Sequence, residues 1–135
     1  MICFDTSALI KRYKREDHSD WIDQIMAEDH DWCASSLIAT EAAIALSREP
    51  ALESDLPAID GRLAADLEAF VMVPVDATCL VRAVEIGRKL RLRTLDAIHL
   101  AAVDQLPAVV AFVTLDDRQR EAAEDLGLKV LAPPV

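Results

Sequence analysis

The chain alternates between two hydrophobic rhythms. Short continuous apolar runs are separated by stretches in which apolar residues recur every three or four positions. The first rhythm marks strands covered on both faces, and the second marks helices with one face on a core. Ile2 to Phe4 reads as a strand ending at Asp5. Thr6 to Lys14 is helical, with Ala8, Leu9 and Tyr13 spaced for one face. His18 to Glu28 is a second helix, with Trp21, Ile22, Ile25 and Met26 on its apolar side. Trp32 to Ala34 is a strand, after which Ser35 or Ser36 caps a helix running to about Arg48.

Residues 49–57 contain Pro50 and Pro57 and read as a loop. Ala58 to Ala69 is helical, with Ile59, Leu63 and Leu67 in step. Phe70 to Val75 is a strand, and Pro74 near its end predicts an edge position. Helices follow over 77–91 and over Thr94 to Gln105, the latter closed by Leu106-Pro107. Val109 to Val113 is a continuous apolar run of the kind buried on both faces. Asp117 to Leu126 is a helix stopped by Gly127, and Leu128 to Leu131 is a last strand. This alternation predicts a three-layer α/β/α sandwich around a mainly parallel sheet, in a single domain over residues 1–135.

Composition narrows the chemistry. No apolar run approaches the ~20 residues that span a bilayer, so no membrane role is expected. The N-terminus lacks a basic segment ahead of an apolar one and does not read as a signal peptide. Cys3, Cys33 and Cys79 are an odd, widely spaced set among apolar neighbours. They predict buried, reduced thiols and a cytoplasmic location. With three glycines and no Gly-rich phosphate motif, dinucleotide and P-loop readings lack their cradle. The net charge of −10 argues against nucleic-acid binding. Against this, the bases cluster in two runs, Lys11, Arg12, Lys14, Arg15 and Arg88, Lys89, Arg91, Arg93. Either run alone would pass for a solvated helix face.

Four acids fall where acids are costly. In open α/β sheets, ligands bind beyond the carboxyl ends of strands. Asp5 follows the first strand, and Asp116 follows the buried run ending Val113-Thr114. Either also fits a helix N-cap, and Gln119 three residues after Asp116 completes a capping box. Glu41 lies at helical spacing from Leu37 and Ile44, inside an apolar stripe. An unpaired carboxylate buried there costs several kcal/mol, so a salt bridge or a ligand must compensate. Asp96 sits in the apolar helix Leu95-Asp96-Ala97-Ile98-His99-Leu100, where it shares a face with His99. His99 is a core histidine satisfied by a hydrogen bond, or else a ligand or base. Four hard oxygen groups without a His/Cys cluster suit Mg²⁺ or Mn²⁺ better than zinc. A cation among them would polarise a phosphoryl oxygen and supply hydroxide from water, which points to phosphate-ester cleavage.

The sequence resembles PIN-domain ribonucleases, and specifically the VapC-like toxins of type II toxin–antitoxin pairs. The resemblance is carried by Phe4-Asp5-Thr6-Ser7-Ala8-Leu9, by Ser36 to Glu41, by Arg93 to Ala101, by Val113-Thr114-Leu115-Asp116 and by Arg120 to Leu128. It spans essentially the whole chain. It implies that Asp5 and Asp96 are the principal Mg²⁺ ligands, with Glu41 and Asp116 completing a catalytic acidic cluster directly or through water. Thr6, Ser7 and Thr114 would steady the carboxylates, with Asp117 as a supporting fifth acid. The implied reaction is in-line attack of metal-activated water on an RNA phosphodiester, leaving a 5′-phosphate and a 3′-hydroxyl. The implied partners are RNA, a second copy in a homodimer, and an antitoxin whose C-terminal segment covers the site. The basic runs would contact the RNA backbone.

Three other readings stay open at this point. A PIN nuclease without a toxin role would look alike. A haloacid-dehalogenase-like phosphatase also places a nucleophilic Asp after its first strand, but wants a second Asp where Ser7 stands. A receiver-like interaction domain needs a lysine after a late strand, and none occurs between Val113 and Lys129.

Overall fold

The computed structural model describes residues 1–108 and 110–134. Five short strands, β1 (Ile2–Phe4), β2 (Trp32–Ser35), β3 (Val71–Val73), β4 (Ala111–Val113) and β5 (Lys129–Leu131), form one sheet. Its order is β3-β2-β1-β4-β5, and every described pair is parallel. The expected mainly parallel sheet is therefore parallel throughout. Within the run expected to be a strand, Val110 precedes β4 and is buried, while Val109 lies outside the described residues.

Among the described residues, seven helices cover the sheet: α1 (Thr6–Leu9), α2 (Ser19–Glu28), α3 (Ile38–Ser47), α4 (Leu56–Glu68), α5 (Ala77–Leu90), α6 (Thr94–Asp104) and α7 (Asp117–Asp125). The period of two in a strand sorts them into layers. Ile2 and Phe4 face one side, where they join Ala8, Leu9, Ile22, Ile38 and Leu63 in one core. Cys3 faces the other, with Cys33, Phe112, Ile86 and Leu100 in a second core. Helices α1–α4 thus lie on one face and α5–α7 on the other, as expected of an α/β/α sandwich.

Some local expectations change. The segment after Arg48 is not loop: Pro50–Asp55 is a 3-10 helix, and α4 starts at Leu56 with Pro57 in its first turn. A proline there lacks only an N–H that no helix would use. Neither Ser35 nor Ser36 is the N-cap of α3. That position belongs to Leu37, and Ser35 Oγ accepts from the Leu37 N–H at 3.2 Å. The helix after β1 is shorter than expected, passing into a 3-10 turn at Ile10–Arg12. Pro74 does mark an edge strand, since β3 pairs only with β2. All three cysteines are buried and free. No helix among the described residues is long and apolar enough to cross a membrane.

Two features place the site. From β1 the chain moves to β2 and β3 on one side, and from β4 to β5 on the other. The carboxyl ends of β1 and β4 therefore flank the crevice where the direction of winding reverses. Close packing of α5 on α6 then carries the α6 N-terminus to this crevice. Gly87 permits that approach, because a Cβ there would lie 3.3 Å from the Ala97 Cβ.

Candidate active site

Asp5 leaves β1 at the crevice with its N–H donating to the Val113 carbonyl at 2.9 Å. It precedes α1 but makes no side-chain capping bond to that helix. Its Oδ2 instead accepts from Ser7 Oγ and from Thr114 Oγ1, each at 2.8 Å. The same two hydroxyls accept backbone N–H groups, Ser7 Oγ from Leu115 at 3.0 Å and Thr114 Oγ1 from Asp116 at 3.2 Å. The β1 and β4 ends are thus laced together through Asp5. Asp5 is 4% exposed. Burial pushes its pKa up; His99 and the two hydroxyls oppose the rise, and Glu41 adds to it.

Glu41 stands in the first turn of α3 rather than inside an apolar stripe. The buried line of α3 is Ile38, Ala42 and Leu46, while Ile44 is 46% exposed and Leu37 half-buried. A step of three residues turns Ile44 away from the line that steps of four maintain. Glu41 therefore lies at the border of the core, facing the crevice. Its Oε2 accepts from Thr6 Oγ1 at 2.7 Å and lies 3.0 Å from His99 Nε2. The bond with His99 is the main cause holding its carboxyl below the ordinary value, helped by Thr6.

His99 is 2% exposed on α6. Burial works against a charge on its ring, but the bond to Glu41 and the fields of Asp5 and Asp96 hold its pKa above the ordinary value. It also lies 3.2 Å from Thr6 Oγ1. Its Nδ1 has no partner among the described residues. The histidine is therefore only half satisfied, and its bonded edge belongs to the site rather than to the core.

Asp96 lies in the first turn of α6 and is half-buried. Burial raises its pKa, followed by the charges of Asp5, Asp116 and Glu41. Four acids from four separate segments consequently share one field. Asp116 is the N-cap of α7, with Oδ1 accepting from the N–H groups of Arg118 at 2.9 Å and Gln119 at 3.1 Å. The reciprocal half of the expected capping box is not made. Gln119 turns its side chain to donate to the Asp96 carbonyl at 2.9 Å, which fixes the start of α6 beside the start of α7. Asp117 points outward, with its side chain 82% exposed and paired to Arg120 at 3.0 Å.

Among the described residues, no three acidic, imidazole or thiol groups close into a cage around one point. The donor set still fits a hard divalent cation. It consists of oxygen groups only at its open edge, and two of its members, Asp5 and Asp96, are pushed up by burial and by neighbouring negative charge.

A sequence profile of the PIN domain matches residues 2–125. The chain belongs to the PIN-domain family. Ribonuclease VapC35 of Mycobacterium tuberculosis strain H37Rv is 36% identical over 140 residues, covering 98% of this chain and 97% of that protein. Ribonuclease VapC46 of the same strain is 37% identical over 143 residues, with the same coverages. The PIN fold is shared with a toxin–antitoxin complex from Klebsiella pneumoniae at a TM-score of 0.73 and 16% identity, covering 99% of this chain and 98% of that one. FitAcB from Neisseria gonorrhoeae shares it at 0.71 and 17%, covering 98% of each. At such identities these structures speak for the fold alone. Membership in the PIN family sets aside the phosphatase and receiver readings.

The sequence left His99 open between a core residue and a ligand or base, and Gln119 showed there only as a capping partner of Asp116. The signal for His99 was its three-residue spacing from Asp96. Gln119 gave a signal only as a cap, and its bond to α6 joins residues 23 apart.

Proposed function

We propose that this chain is a Mg²⁺-dependent endoribonuclease of the toxin type, one nuclease domain over residues 1–135, acting in the cytoplasm. The observation that carries this reading is the shared field of Asp5, Glu41, Asp96 and Asp116 at the switch point of the sheet. The names of the VapC ribonucleases support RNA as the substrate.

In this reading Asp5 and Asp96 hold the cation. When bound, a divalent cation neutralises charge at the scissile phosphate and lowers the pKa of a water molecule. The protein's own part is preorganisation. Ser7 and Thr114 orient Asp5 through Oδ2, and Thr6 and His99 orient Glu41 through Oε2. Glu41, held ionised by these bonds, faces the cleft as an acceptor for a water proton. Asp116 borders the opposite side, oriented by the first N–H groups of α7. Asp117 contributes through its position beside Asp116.

The purified protein should cut RNA with Mg²⁺ or Mn²⁺ and stop on addition of EDTA. Asp5→Asn and Asp96→Asn should each reduce cleavage by several orders of magnitude while keeping the circular dichroism spectrum. Full activity in either variant would remove that residue from the assignment. Toxin–antitoxin complexes among the structural relatives support an antitoxin partner, with its C-terminal segment over the cleft. Co-expression with the product of an adjacent reading frame should restore growth and yield a complex. An adjacent frame without that effect would leave a PIN nuclease without a toxin role. Exposed Leu80, Val81 and Val84 on α5 and Leu95 on α6 support a homodimer, which light scattering would test.

A further inference from the structure

The two basic runs look equivalent in the sequence and are not equivalent in the structure. In the first run, Lys11 pairs with Glu16, and Arg12 reaches Asp66 at 2.8 Å and Asp23 at 3.3 Å. Lys14 reaches Glu49 at 3.0 Å and Glu16 at 3.2 Å, and Arg15 binds Asp20 and Asp23. Four bases thus face five acids, and that surface offers no net positive charge to a phosphate.

The second run has no ion pair among the described residues. Arg88 and Lys89 end α5, Arg91 and Arg93 form the turn into α6, and all four are exposed. Arg118 joins them from α7, donating from one Nη to the Arg91 carbonyl at 3.0 Å. A guanidinium carries five N–H donors, so most of Arg118 stays unspent. Two of these residues adjoin the acids of the cleft along the chain. Arg93 is the N-cap of α6, three positions before Asp96, and Arg118 follows Asp116 by two.

Helix electrostatics separates these arginines from ordinary surface charge. Arg88 and Lys89 suit the negative end of α5, where cations are favoured. Arg93 and Arg118 stand at the positive ends of α6 and α7, where cations are disfavoured. Local stability does not explain them. A polyanion passing the cleft does, since phosphates gain from both the guanidinium groups and the helix N-termini.

Resting on the ribonuclease reading above, we infer that the RNA backbone enters across the α5–α6 turn, held by Arg91, Arg93 and Arg118 with Arg88 and Lys89 extending the track. The run after α1 takes no part in this contact. Of the acids beside the track, Asp96 and Asp116 belong to the acidic cluster of the cleft, and Asp117 pairs with Arg120.

Two triple variants with the same change in charge test this. One is Lys89→Gln, Arg91→Asn, Arg93→Gln, with asparagine chosen because Arg91 has a φ of 56°. The other is Lys11→Gln, Lys14→Gln, Arg15→Gln. Binding of a fluorescein-labelled RNA hairpin is measured in Mg²⁺ across a salt series, in the Asp96→Asn background to prevent cutting. The first triple should bind at least tenfold more weakly, and its slope of log affinity against log salt should be shallower by about 2 for three lost phosphate contacts. The second should keep the parental slope. Equal loss in both triples, greater loss in the second, or parental binding by the first would overturn the inference while leaving the ribonuclease reading in place. An Asp96→Asn parent that does not bind RNA, together with an unsubstituted protein that does not cut it, would remove both. Melting curves confirm folding, and Arg93→Gln alone serves if the first triple does not fold.

Discussion

The Thr114 hydroxyl donates to Asp5 Oδ2 and accepts from the Asp116 N–H, so one oxygen ties two of the four acids together. Thr114→Val keeps the shape and removes both bonds. Cleavage and Mn²⁺ affinity should each fall about 10–100-fold, as for other residues that orient metal ligands. Unchanged calorimetric affinity and unchanged kcat/KM would show that Asp5 needs no such brace. Asp5 itself carries a stability consequence. Its folded pKa lies above that of an unfolded aspartate, so its ionised form opposes folding at neutral pH. That opposition disappears as pH falls through the folded value. In EDTA at pH 7, Asp5→Asn should therefore melt above its parent, and the gain should shrink as pH is lowered. Glu41 works in the other direction: its lowered pKa adds stability at neutral pH that is lost on acidification. A variant melting below its parent at pH 7 would refute the expected burial penalty. Sequence alone identified these carboxylates through strand ends and helix turns. It named Thr6, Ser7 and Thr114 only through the family resemblance, because nothing in the spacing shows that Thr114 meets Asp5 across 109 positions or that Thr6 meets Glu41 across 35.

Helix α6 is the element that the pattern read most clearly, and its burial explains why. Every residue from Ala97 to Val103 is buried, against α5 on one side and the sheet on the other. Leu100 is 0% exposed at its centre. Leu100→Ala should cost 2–5 kcal/mol, measurable by urea unfolding, and a loss below about 1 kcal/mol would contradict this packing. Helix α3 was less legible. Its mean composition is apolar enough that Leu37 and Ile44 looked like one face with Glu41, and only contact with α4 and the sheet selects the Ile38, Ala42, Leu46 line. The basic runs mark another limit. Whether a lysine is free or paired depends on acids such as Glu49 and Asp66, which lie 35 and 54 residues from Lys14 and Arg12. Spacing along one helix carries no trace of them.

At the scale of the molecule, the cleft couples cation binding to folding. A divalent ion present at 10–100 times its dissociation constant should stabilise the protein by about 1.4–2.7 kcal/mol. The gain should vanish in Asp5→Asn, and a parental melting temperature indifferent to Mg²⁺ and Mn²⁺ would argue against a cation site. The thiols report on the second core, separately from the cleft. Cys3, Cys33 and Cys79 are 1%, 0% and 0% exposed, so an aromatic disulfide reagent should titrate none of them natively and three after denaturation.

The sheet order also has a consequence in time. The bond between Thr114 and Asp5 joins residues 109 positions apart, and β1 sits at the middle of the sheet awaiting β4 on its far side. Asp5 is synthesised 109 positions before the threonine that completes its surroundings. For a nuclease built this way, the nascent chain is inert until β4 has been made and can pair with β1. The messenger and ribosome producing it work beside an unfinished blade, whose edge forms only once that strand is in place.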